Sequence, residues 1–185
     1  MRILLCLTLA FAAIPSAAQS PVDGYIQGEH YINNFLHFSY AWPVMFQPVV
    51  LPPHIQNPEH SSPNEVALFA ARQGSEPFGV IVISEKLNAP TASDPKGFRD
   101  GAHFLSHIAP TWKSDSSFRI LNKKHFVDPH GLIFDELDYF VANEYSAGVT
   151  MQTKNGYLVV WKFNAKSAVE LGSMTASARA TTLFP

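Results

Sequence analysis

Asn155-Gly156, lying between residues 145–153 and 157–165 (YLVVWKFNA), restricts the fold more than any other feature of the chain. Both runs are rich in β-branched and aromatic side chains. Asn and Gly accept the positive φ of a tight hairpin turn, so the two runs read as an antiparallel pair. Residues 132–142 (LIFDELDYFVA) read as another long strand, and 118–121 as a short one. Residues 66–72 and 78–84 are short β-rich runs, and a loop containing Gly74 joins them as a second hairpin. Nearer the start, Leu36, Phe38 and Tyr40 alternate with His37, Ser39 and Ala41, the period of a half-buried strand. Asn33-Asn34 supplies a turn before it, and 30–32 a short partner strand.

Two segments carry helical period. Asp94-Pro95 offers an N-cap with proline in the first helical position; Phe98, Ala102, Leu105 and Ala109 follow at helical spacing, and Pro110 marks the end. Ser167 and Glu170 fit a capping box, ahead of an apolar stripe at Leu171, Met174 and Ala178. Between strands, residues 43–63 hold six prolines and read as a long irregular loop. The order of elements predicts an α+β fold built on an antiparallel sheet, a single domain over 28–185.

The first residues predict export. Arg2 precedes an apolar run at 3–14, Pro15 breaks it, and Ser16-Ala17-Ala18 supplies the small residues of a cleavage site. The run is shorter than the roughly 20 residues that span a bilayer. A signal peptide over 1–18 and a short lead-in over 19–27 follow from this, with a periplasmic or secreted destination. Cys6, the one cysteine, would leave with the leader, so no disulfide or thiolate site is expected in the remainder. Thirteen Lys and Arg stand against fifteen Asp and Glu. Losing Arg2 would take the net charge from −2 to −3, far from the basic balance of a nucleic-acid binder.

Two stretches, YINNFLHFSYAWP and NGYLVVWKFNAKSAVELGSM, resemble the opening hairpin and the last strand and helix of the PsbP-like (Mog/PsbP-type) α/β/α sandwich proteins. The resemblance implies an antiparallel sheet with helices packed on its faces. That group spans photosystem-associated and nuclear-transport accessory proteins and many exported bacterial proteins, so it implies little about function.

On a helical wheel Asp100, His103 and His107 fall within about 60° of one another. Two imidazoles and a carboxylate are a ligand set for zinc or another divalent metal. A solvated polar face is the alternative, and Lys96 on the same side would repel a cation. His125, Asp128 and His130 cluster about Pro129-Gly131, where turn chemistry alone accounts for Asp, Pro and Gly. Asp135, Glu136 and Asp138 place acids on both faces of one strand; edge protection explains them without chemistry. Phe35, Tyr40, Trp42, Phe46 and Trp161 read as core, while Met45 and Phe46 would form a sticky rim if exposed. No nucleophile elbow, zinc-protease motif or phosphate loop is present. The sequence therefore favours an exported, soluble, non-enzymatic accessory domain that binds a protein partner or small ligand. A metal-dependent or hydrolytic enzyme built on the histidine clusters is the alternative, and a structural envelope component a third.

Overall fold

A computed structural model describes residues 20–51, 64–74, 79–91, 94–111 and 116–184. The expected leader over 1–18 lies outside them, as do residues 52–63 of the proline-rich stretch.

Four strands open the described chain: β1 (Gly24–Gln27), β2 (His30–Asn33), β3 (Phe38–Ala41) and β4 (Gln47–Val49). They are followed by β5 (Glu65–Arg72), β6 (Val80–Lys86), helix α1 (Gly101–Thr111), β7 (Arg119–Val127), β8 (Ile133–Val141), β9 (Glu144–Gln152) and β10 (Tyr157–Ala165). Helix α2 (Ala168–Arg179) and β11 (Thr182–Leu183) complete it. The strands form two sheets, ordered β1-β2-β3-β11 and β4-β5-β6-β10-β9-β8-β7. All pairings are antiparallel. The lead-in read before residue 28 thus contains a strand, β1, paired to β2, and the proline-rich stretch contributes β4 at the edge of the large sheet.

This corrects the expected α/β/α sandwich. The fold is β-rich, and a second sheet takes much of the place that a helical layer was expected to fill. Tyr31, Phe38 and Tyr40 point from the small sheet onto the large one, where Phe38 and Tyr40 meet Trp161 edge-on at 6.0 and 5.8 Å, and Trp42 stacks on Phe69 at 4.9 Å. Leu171, Met174 and Ala178 of α2 join the same core. The opposite face of the large sheet carries a smaller core, in which Phe98, Phe104 and Leu105 pack on Leu137, Leu158 and Val160. The alternation along β10 explains both: Val159, Trp161 and Phe163 face the first core, Leu158 and Val160 the second.

Asn155-Gly156 does turn β9 into β10, with Gly156 at φ +82°. Asn33 closes its turn by accepting the Leu36 N–H on Oδ1 at 2.8 Å. The Ser167 hydroxyl accepts from the Glu170 N–H at 3.2 Å, while Glu170 Oε2 accepts from the Lys166 N–H at 2.9 Å. Asp94, by contrast, is no helix cap. Its Oδ1 accepts the Lys96 N–H and its carbonyl the Gly97 N–H, closing a tight turn. The helix starts seven residues later and carries past Pro110. Ala102 is exposed, and the neighbouring Phe104 is the one buried. Phe46 is buried under Gly79, so of the expected rim only Met45 is exposed, with Val44 exposed beside it.

Candidate functional site

Asp100 sits at the start of α1 and caps it: Oδ1 accepts the His103 N–H at 2.7 Å and its carbonyl the Phe104 N–H at 3.1 Å. His103 turns back toward the 94–98 turn. Its Nδ1 accepts the Arg99 N–H at 3.4 Å, leaving Nε2 3.5 Å from Asp94 Oδ2. His103 and His107 both lie edge-on to Phe98, at 5.7 and 5.4 Å between ring centres. Asp100 Oδ1 is thus engaged in the cap, and both imidazoles lie against Phe98. Among the described residues no group of three or more His, Cys, Asp or Glu is placed to hold a metal.

The second cluster separates. Asp128 closes a turn by accepting the His130 and Leu132 N–H groups on Oδ1, at 2.8 and 2.7 Å, and His130 is exposed. His125 instead pairs across the sheet with Asp135, Nδ1 to Oδ1 at 2.8 Å. Asp135 is buried where β8 and β9 meet the first turn of α1.

The acids of β8 are not edge charges, which corrects the expectation of surface protection. Glu136 has no exposed side-chain surface. It is held between Lys124 Nζ and Arg179 Nη1, the latter at 2.7 Å from Oε2, so that β7 and the end of α2 are tied to the same carboxylate. Lys124 also reaches Asp138 Oδ2 at 3.3 Å. Burial first, then the neighbouring Glu136 charge, push the Asp138 carboxyl above the usual carboxylate range, against the pull of Lys124. Burial alone would lower Lys124, but the bond and charge of Glu136 with Asp138 outweigh it and raise the ammonium.

A raised carboxyl in the folded state binds its proton before the unfolded chain does. Asp138 therefore adds stability as pH falls through that range and loses it as pH rises. Asp138→Asn should flatten the mildly acidic part of the stability profile and leave the protein at least as stable at pH 7. Denaturant titrations at a series of pH values check this, and parallel profiles for the two proteins would refute it.

Arg179 also stands on the wall of an open cleft of about 670 Å³. The cleft lies between the 128–133 turn, the β9–β10 hairpin at 152–154 and the end of α2 with β11. Its polar lining includes His130, Lys154, Arg179 and Thr181. Thr181 is buried, and its hydroxyl has no hydrogen-bond partner among the described residues. Lys154 is exposed and makes no ion pair with a described residue. A smaller cleft of about 310 Å³ adjoins across Lys154 and Leu183, walled by Leu36, His37, Asn155 and Phe184. Asn155 Nδ2 donates to the Phe35 carbonyl at 2.7 Å, and the Phe184 N–H to the His37 carbonyl at 3.1 Å, which fixes this second wall. Sequence reasoning singled out Asp128 and His130 here but not Lys154, Arg179 or Thr181, because three separate segments meet only in the fold. In comparisons with known proteins, no family model and no curated protein matches the chain. Among the described residues, no helix is long and apolar enough to cross a membrane.

Proposed function

We propose that the chain is an exported, non-catalytic binding domain, and that the cleft at the end of α2 receives a small ligand. The leader-like start supports the export part. The observation that carries the binding part is the cleft itself. Its volume of about 670 Å³ falls within the usual range of ligand pockets, and polar groups converge on it from three segments. Lys154, exposed and in no ion pair with a described residue, gives a ligand a charged partner on one wall.

Ile133 lines the cleft and is 42% exposed, so a bulky replacement fills the cleft without entering the core. A panel of small metabolites screened by thermal shift should contain compounds that stabilise the parent protein by mass action and do not stabilise Ile133→Trp. Equal stabilisation of both proteins would remove the cleft from the account. Thr181→Val should leave the unliganded protein as stable or more so, because it deletes an unsatisfied buried hydroxyl. A loss of unliganded stability would mean that the hydroxyl is bonded within the protein.

One observation favours an enzyme instead: a buried carboxylate, Asp135, orients the exposed imidazole of His125, the arrangement of a general base. Neither residue lines the cleft. Hydrolytic turnover lost in His125→Gln, with cleft binding intact, would move the function to this pair.

A further inference from the structure

The paired clefts sort their lining by chemistry. The larger gathers Arg179, Lys154 and His130 against a single carboxylate, Asp128, whose Oδ1 is already taken by two backbone N–H groups. The smaller is walled mainly by Leu36, Leu183 and Phe184, with His37 at its side. Lys154 and Leu183 belong to both. The chain as a whole carries more acid than base, so a basic cleft is a local departure and not a reflection of composition.

Two features oppose an anion and are outweighed. The carbonyl end of α2 points partial negative charge toward the larger cleft, but the Ala180 and Thr181 N–H groups fold back onto the Ala176 and Ala178 carbonyls, each at 3.1 Å. Arg179 shares its charge with Glu136. That carboxylate is also held by Lys124, which is shared in turn with Asp138, so Arg179 offers the cleft only part of its charge. Lys154 is shared with no described acid and stands where the clefts adjoin.

Resting on the reading of this cleft as a ligand site, we infer that its ligand is a small amphipathic anion: a carboxylate or phosphate monoester head on a short apolar stem. The head lies among Lys154, His130 and Arg179. The stem lies over Leu183 toward Phe184. An ammonium ligand would face the cations of Lys154 and Arg179, and a wholly apolar one would leave the Lys154 ammonium without a counter-charge.

The test titrates the full folded domain with octanoate, octyl phosphate, octan-1-ol and inorganic phosphate, by calorimetry and by amide chemical shifts. The expected result is that octanoate and octyl phosphate shift amides around both clefts and bind about tenfold or more tightly than octan-1-ol. Inorganic phosphate alone should bind weakly and only at the larger cleft. Lys154→Gln replaces an exposed turn side chain and should fold normally; it should weaken octanoate about fivefold and leave octan-1-ol unchanged. Added salt should weaken the anions selectively. Octan-1-ol binding as tightly as octanoate would overturn the anion assignment, as would Lys154→Gln without effect. Cleft binding by other compounds of the metabolite panel, with neither octyl anion bound, would overturn it too while the binding-domain reading stands. Capture only by phosphatidylglycerol vesicles, with no soluble anion bound, would replace it by a membrane contact. No compound bound at the cleft would fail both readings together.

Discussion

Arg179→Ala is expected to lower the stability of the fold by about 3 kcal/mol, because breaking a buried pair leaves its charge uncompensated. Glu136 has no exposed side-chain surface, and Arg179 and Lys124 are its two cationic partners. Removing Arg179 leaves Lys124 to hold it alone and frees the last turn of α2 from β8. It also removes the guanidinium that lies 5.8 Å from the centre of the Phe126 ring. Glu136→Gln should cost less, since the side chains of Lys124 and Arg179 are 38% and 30% exposed and can turn to water. Chemical denaturation of the two variants checks the ranking. Equal, small losses would mean that the network is ornamental to stability.

Gly101→Ala is expected to destabilise by about 2 kcal/mol, within the range for overpacking, although alanine in place of glycine ordinarily stabilises a helix by about 1 kcal/mol. A Cβ at this position would lie 1.9 Å from Thr150 Oγ1 and 2.8 Å from Asp135 Oδ2. Both atoms belong to buried side chains under the start of α1, so neither has free room to retreat. Thr150→Ser keeps the hydroxyl and removes only a methyl, while Thr150→Ala removes the clashing oxygen. The double variant Gly101→Ala/Thr150→Ala should therefore recover stability relative to the sum of the single changes, measured as a double-mutant cycle. Additive losses would place the clash elsewhere.

Local signals were legible where the chain answers to its near neighbours. Asn155-Gly156 and the Ser167–Glu170 box each act within five residues, and both formed as read. Strands β5, β6, β8, β9 and β10 followed from period and composition for the same reason, whereas β7 runs to Val127, well past the short strand expected at 118–121. Signals that depend on tertiary partners were not legible. Asp94-Pro95 has the chemistry of a helix start, yet Thr91 and Gly97 close a turn around Asp94, and Asp100 takes the cap. The alternation of Leu36, Phe38 and Tyr40 shows a half-buried strand in any sheet, and cannot say that it belongs to a second one. The acids at 135 and 136 look like surface charge until β7 and α2 bring His125, Lys124 and Arg179 to them. The cleft was least legible, because Lys154, Arg179 and Thr181 carry no motif and meet only through a hairpin and a helix end.

Amide correlation spectra of the folded domain, recorded with and without the stabilising members of the metabolite panel, test the binding site most directly. Shifts are expected to concentrate at residues 128–133, 152–154 and 179–183, with the region around Asp100, His103 and His107 unmoved. Shifts centred on His125 or on α1, with the 152–154 hairpin and the end of α2 silent, would contradict the cleft site.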